Sequence, residues 1–315
     1  MCGTYDNQHG RSRGRETAEQ LAQATAGLPA DKLLLAAANR FPGRIALASS
    51  FGAEDQVLTD MLARAGLLEI NRDSHHLFSP HRRPENKKIN GDSHHLFSSH
   101  HRPEIATGGS EINGDCPHLF APARQTKPVS IFTLDTGRLP QETHDALDAT
   151  RKRYGITIDV LVPDRAELEA MVREHGSNLF YASIENRKRC CHVRKVAPLR
   201  RKLGQLDAWI CGLRREQAAT RTAIERVEWD EANGLVKLNP LADWTTEQVW
   251  DYIRRYDVPS NPLHARGYPS IGCSPCTRAV APGEDIRAGR WWWETPEQKE
   301  CGLHVVDGKL VRKKR

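Results

Sequence analysis

No apolar run in this 315-residue sequence approaches the roughly 18 residues that a membrane-spanning helix needs, which excludes a transmembrane chain. An apolar h-region is also missing: the opening MCGTYDNQHGRSRGRET is polar, which argues against secretion and for the cytosol. Charge of one sign is scarce. With 46 Lys+Arg against 40 Asp+Glu, the formal net charge is +6, enough to favour an anionic substrate but far from what nucleic-acid binding uses. The Walker A pattern G-x-x-x-x-G-K-[ST] is absent as well. What the chain does have is eight cysteines. Thiols stay reduced in the cytosol, so these point to metal, cluster or catalysis rather than to disulfides. The length suits one large domain or two small ones, with a full core that needs no staples.

Periodicity indicates an α/β chain. Residues 1–15 are polar and rich in Gly and Arg and read as a flexible tail. Helical patterns follow at 16–27 and 31–40, then a strand at 44–50 and an amphipathic helix at 54–66. Further strands are expected at 129–136, 156–163 and 207–213, with helices at 140–154, 164–176 and 192–203 between them. This alternation implies a mostly parallel sheet with helices on both faces, built from residues 16–69 and 126–255. From about 256 to 315 the composition turns to Pro, Gly, Cys and Trp, which suggests an irregular C-terminal segment.

Residues 70–125 interrupt the rhythm with a threefold imperfect repeat starting at Ile70, Ile89 and Ile112. It holds eight of the fourteen histidines: His75, His76, His81, His94, His95, His100, His101 and His118. Imidazoles suit Zn, Ni or Cu, but no acidic or thiol pattern completes a site. The better reading is a solvated loop produced by repetition of a short element. It follows a helix and precedes a strand, so it should leave the amino-terminal edge of the sheet, opposite the edge where ligands bind. Lengthening a loop there from about 6 to about 60 residues costs only roughly 2 kcal/mol.

Two turns at the other edge carry candidate chemistry. After the first strand come Ser49, Ser50, Phe51, Gly52, Ala53, Glu54 and Asp55, opening a helix. Hydroxyls, a glycine and helix N-terminal amides can form an anion cradle, but on spacing alone ordinary helix capping by Ser and Asp is the better reading of this loop. The second strand ends in Leu134, Asp135, Thr136, Gly137 and Arg138, either a ligand turn or a plain entry to a helix. Two such turns on consecutive strands favour the ligand reading. Arg194 and Lys195, Arg214 and Arg215, and Arg287 and Arg290 are cations that could converge on phosphate or sulfate or simply face solvent. Core packing is the better role for Trp291, Trp292 and Trp293.

The cysteines are more specific. Cys190 and Cys191 are adjacent, and Cys273 and Cys276 form a C-x-x-C. Two thiolate pairs fit an iron–sulfur cluster, and fit zinc less well because one pair is not a knuckle. Cys211 lies in an apolar strand and reads as inert. Cys301 is in a polar setting between Lys299 and His304, which could lower its pKa and make it a nucleophile.

SSFGAED (49–55), FTLDTGR (132–138), CCHVRK (190–195), GLRREQ (212–217), GCSPCTR (272–278) and KECGLH (299–304) together resemble one family. It is the assimilatory sulfonucleotide reductases, and within it the iron–sulfur adenylylsulfate (APS) reductases. The resemblance spans nearly the whole chain except the tail and residues 70–125. It implies an adenine nucleotide α-hydrolase-like (PP-loop ATPase-like) fold and a [4Fe–4S] cluster on Cys190, Cys191, Cys273 and Cys276. It further implies reduction of APS to sulfite and AMP in cysteine biosynthesis, with Cys301 as nucleophile and an S-sulfocysteine intermediate. Thioredoxin, or a glutaredoxin-like protein, would be the electron donor. Ser49, Ser50, Gly52, Asp135, Gly137, Arg138, Lys195, Arg214, Arg287, Arg290 and His304 would bind substrate. The implied protein is cytoplasmic, without nucleic-acid or membrane partners, and compatible with a homo-oligomer. Rival readings are a reductase of the 3′-phosphorylated nucleotide, an adenylating enzyme of the same fold, and a metal-binding protein built on the His-rich repeats. The second of these would carry an S-G-G-x-D-S loop, which this sequence lacks.

Overall fold

The computed structural model describes residues 3–70, 127–218 and 221–295, with side chains from residue 12 onward. The chain divides into two units, Met1–Asn71 with Ala123–Arg315, and Arg72–Pro122. The His-rich repeats, Cys301 and His304 lie outside the described residues. The first unit holds the sheet and the candidate site. Among the described residues no helix is long and apolar enough to cross a membrane.

Six strands form one sheet: β1 (Ile45–Ala48), β2 (Ser130–Leu134), β3 (Asp159–Leu161), β4 (Ala208–Ile210), β5 (Val227–Asp230) and β6 (Leu235–Leu238). Their spatial order is β3-β2-β1-β4-β6-β5, parallel except for the antiparallel β5–β6 pair. Alternate residues of each central strand serve opposite faces. Ile45, Leu47, Ala208, Ile210, Val236 and Leu238 pack with helices α2 (Ala30–Arg40), α3 (Ala53–Arg64) and α8 (Thr246–Tyr256). Ala46, Phe132, Trp209, Cys211 and Leu235 face the other way, against Leu199 and Leu203 of α7 (Ala197–Leu203). Burying each such large side chain contributes roughly 1.5–3 kcal/mol, so both faces must be covered. α4 (Gln141–Tyr154) joins β2 to β3, and α5 (Arg165–His175) and α6 (Ile184–Cys191) follow. Leu68 pairs with Val129 just before β2, so the chain flanking the repeat segment meets at that strand's amino end.

The amino terminus corrects the sequence reading. Residues read as a flexible tail belong to helix α1 (Gly3–Ala24). No proline interrupts residues 1–28, and the helix has a seat: Gly14 lies directly on the Trp229 ring, and Arg15 pairs with Glu231. That seat is the β5–β6 hairpin, which the sequence reading does not include although Asn233-Gly234, with Gly234 at φ +71°, is a hairpin-turn signature. Helix α8 is a further addition. Its start is a capping box, in which Thr245 accepts from the Gln248 amide and Gln248 accepts from the Thr245 amide.

One helical run has a change of register. α6 passes into a π-helical turn (His192–Val196) and then α7. Pro198 has no N–H to donate to an α-register carbonyl, and the wider turn lies just before it.

Candidate active site

Chain order reverses at β1, which has β2 on one side and β4 on the other, and the crevice of an open α/β sheet forms at such a point. A cavity of about 700 Å³ opens there. Its floor is apolar, with Phe132, Leu134, Leu199, Trp209 and Leu213, and its rim is polar, which suits a flat base on one side and anionic groups on the other.

The loop after β1 is held under strain. Phe51 adopts φ +58° while buried to 1% exposure, a conformation that costs about 1–3 kcal/mol for a bulky residue. Ser49 Oγ accepts from the Phe51 amide at 3.2 Å. Asp55 Oδ2 accepts from both the amide and the hydroxyl of Ser50, each at 2.7 Å. Burial pushes the Asp55 carboxyl up to about 6, against the lowering effect of the Ser50 hydrogen bonds. Asp55 also accepts from the Gly212 amide, tying the loop after β1 to the loop after β4. A side chain at Gly212 would overlap Asp55 Oδ1 and crowd Glu54 Cβ, so the two loops approach this closely only because residue 212 is glycine.

Of the residues assigned to substrate, the structure brings Ser49, Ser50, Gly52, Lys195, Arg214, Arg287 and Arg290 to this cavity. Arg214 arrives with its donors committed. Its guanidinium, 3% exposed, reaches Glu54 and Glu216 at 2.8 Å each and the Trp244 carbonyl and Thr246 hydroxyl at 3.1 Å. Its evident work is to hold the start of α3 and α8 against the loop after β4.

Asp135, Gly137 and Arg138 are not among the lining residues of that cavity. The Asp135 carboxylate accepts from the Gly137 amide at 2.8 Å, closing a local turn. The Arg138 guanidinium is bound by the Ser177 carbonyl and Asn178 and lies over the Phe180 ring, while its carbonyl accepts from the Ser274 amide. This loop supports the cysteines instead.

Cys190, Cys191, Cys273 and Cys276 all line a second, small cavity together with Arg138, Arg187, Arg194 and Lys195. Among the described residues no group of three or more His, Cys, Asp or Glu side chains closes to single-ion spacing. The thiols differ in environment. Burial pushes Cys276 up to about 12, with the neighbouring Cys273 and Cys191 adding to the rise. Burial acts the same way on Cys273, but Lys195, a 3.3 Å contact with Thr136 Oγ1 and Arg290 outweigh it and leave that thiol below its ordinary value. Arg194 donates to the Thr136 carbonyl at 2.6 Å, so α6, the π-turn and the loop after β2 close on one another. Lys195 lines both cavities and so joins the cysteine site to the larger crevice. Cys211, buried in the wall of the large cavity with its thiol pushed up by burial, remains an inert apolar group.

Sequence reasoning gives no role to Thr136, to Asp55 beyond capping, or to the buried Arg187. It also passes over His264, on the cavity wall with Nδ1 donating to the Tyr268 carbonyl at 2.9 Å. The only sequence signal for these is proximity to a motif already noted.

The phosphoadenosine phosphosulfate reductase domain model matches residues 117–279. An adenosine 5′-phosphosulfate reductase of Burkholderia cepacia is 57% identical over 179 residues, which is 57% of this chain and 72% of that protein. One from Allochromatium vinosum is 54% identical over 181 residues, 58% of this chain and 71% of that protein. A crystal structure of phosphoadenylyl-sulfate reductase from Candida auris, in a phosphate complex, superposes with a TM-score of 0.56 at 22% identity, covering 84% of this chain and 97% of that one, a likeness of fold. With a mostly parallel sheet, a crevice at its switch point and this identity to curated relatives, the chain belongs to the sulfonucleotide reductases, the family of the phosphoadenosine phosphosulfate reductase domain.

Proposed function

We propose that this protein reduces adenosine 5′-phosphosulfate to sulfite and AMP with thioredoxin as donor, in the cytoplasm, as a step of sulfate assimilation. The observation that carries the reading is the joining of a nucleotide-sized crevice to a four-cysteine site through Lys195. The names of relatives at 57% and 54% identity support the choice of substrate.

The nucleotide lies in the crevice, its base on the apolar floor and its phosphate toward the Ser49–Gly52 loop. Lys195, Arg287 and Arg290 surround the sulfuryl oxygens and neutralise the charge that repels an incoming thiolate. The Cys301 thiolate attacks sulfur, forming an S–S bond while the S–O bond to AMP breaks and AMP leaves with that electron pair. His304, in the same motif, serves the surroundings of the nucleophile. AMP is a good leaving group, so no strong general acid is needed. A thioredoxin thiolate then attacks the Cys301 sulfur and expels sulfite. The second thioredoxin thiol opens the mixed disulfide, so two electrons pass from the dithiol to sulfur.

Cys190, Cys191, Cys273 and Cys276 would hold a [4Fe–4S] cluster. Four thiols around a common cavity, among four cationic side chains, match the donor set and negative charge of such a group. When bound, it supplies fixed charge and rigidity beside the sulfuryl group.

Protein purified without air should release sulfite from APS, and much less from the 3′-phosphorylated nucleotide. Cys301→Ser should stop release while keeping iron, and Cys273→Ala should lose iron and most activity. APS without thioredoxin should leave a sulfite-mass adduct on the Cys301 peptide. An adduct on Cys211 or Cys116 instead refutes the mechanism.

A further inference from the structure

The turn Trp291–Glu294 ends seven residues before Cys301, and it is fastened to both cysteine pairs. On one side the Trp291 amide donates to the Cys276 carbonyl at 3.1 Å. On the other, Glu294 accepts from Arg187 Nε at 2.9 Å and Nη2 at 2.8 Å, a bidentate pair with side chains 1% and 3% exposed. Arg187 lies on α6 three residues before Cys190, and it also reaches Cys191. Its guanidinium sits over the Trp291 ring at 4.7 Å, and that of Arg290 at 4.8 Å.

Two of these features are expensive for a turn whose sole task is to continue the chain. Removing an ion pair from water costs several kcal/mol per ion, and apolar residues of similar volume commonly do as well or better for stability. Trp291 also adopts φ +41°, a left-handed conformation that a bulky side chain avoids. Such strain persists only where the surroundings over-determine it, and it clusters where geometry matters to function. The ring's reward is a fully buried place among Phe180, Cys190, Val193 and Cys276.

We propose that Arg187 and Glu294 are positioning residues for the sulfur-transfer step: their buried pair, braced by the strained Trp291, locks the root of the Cys301 segment to the cysteine site and so sets where the nucleophile is delivered. The inference rests on Cys301 being the nucleophile. Neither residue lines the nucleotide crevice, so the pair acts through placement and not through substrate binding.

The test uses the full chain purified without air, as Glu294→Gln and as the double variant Arg187→Met/Glu294→Leu. The double variant replaces the pair with apolar groups and should keep its thermal midpoint. Because Arg187 also lines the cysteine cavity, its activity is read per iron bound. Both variants should hold KM for APS within about twofold of the wild type, the signature of intact substrate binding. kcat per iron should fall by about tenfold or more, as a displacement near 1 Å would cause. With AMP bound, iodoacetamide should alkylate Cys301 several-fold faster. Unchanged kcat per iron in the double variant overturns the proposal, and so does a loss of activity that tracks loss of iron. Retained sulfite release by Cys301→Ser would bring down the underlying nucleophile assignment, an outcome these variants cannot imitate.

Discussion

Gly212→Ala is the smallest change that should damage the nucleotide crevice. Gly212 does not have a positive φ, so backbone strain does not oppose the substitution. On unfolded-state entropy alone it should even stabilise, by about 0.4–1 kcal/mol. Contact decides the other way. The new methyl would overlap Asp55 Oδ1 and crowd Glu54 Cβ and the Asp55 amide, and Asp55 cannot swing aside freely because Ser50 holds it through two 2.7 Å hydrogen bonds. Overpacking of this kind costs about 1–3 kcal/mol. Relief by rotating Asp55 would instead sacrifice hydrogen bonds to a charged acceptor, at roughly 1.5–3 kcal/mol each. The damage falls on the loop that carries Ser49, Ser50 and Gly52. AMP affinity, measured by calorimetry, should therefore weaken by about ten- to a hundredfold, the equivalent of 1.4–2.8 kcal/mol. In an Asp55→Ala background most of the clash is gone, and the same glycine substitution should cost far less. Equal costs in the two backgrounds would refute the steric argument, because contacting residues must couple.

The Asp55 carboxyl also sets a pH dependence. Its folded pKa, about 6, is above the ordinary value of 3.8, so its contribution favours the folded state below 3.8 and is lost as pH rises through 6. Relative to Asp55→Asn, the wild type should gain about 1.4 kcal/mol of stability between pH 8 and pH 5, and a difference flat across that range would exclude the buried-carboxyl account. Replacing residues 70–125 with a short polar loop should leave sulfite release from APS within about twofold, since the flanking Leu68 and Val129 are paired neighbours. Loss of activity on that deletion would favour a metal-binding role for the repeats.

The central sheet was legible because buried parallel strands are short apolar runs between amphipathic helices. The β5–β6 hairpin was harder, since VEWD and LVKL each mix charge with apolar residues, and only its Asn-Gly turn announced it. At the site, the Ser49–Asp55 loop is weak in sequence, where capping explains it as well, and the ligand reading comes from pairing it with a second strand-end turn. The structure has it lining the crevice. Asp135, Gly137 and Arg138 do not line that crevice, and sequence could not show it: the carboxyl ends of neighbouring strands look alike in sequence, and the direction a loop faces is set by its partners. Arg138 is claimed by Asn178 and Phe180, which no spacing rule connects to it. Arg214 makes the same point more sharply. Its main partner, Glu54, is 160 residues away, so the sequence displays a cation where the fold has already neutralised one.

The π-helical turn at His192–Val196 explains a spacing that an ordinary helix would waste. Five residues along an α-helix rotate a side chain about 140° away from its starting face. Across the wider turn, positions five apart come back toward alignment, so Lys195 can look toward the cavity that Cys190 lines while its own surface still borders the nucleotide crevice. One additional residue per turn thus acts as a phase shifter between two chemistries. Deleting Val193 from that turn would leave every cysteine and every cation in the chain, yet put the Lys195 ammonium out of step with the sulfur it adjoins.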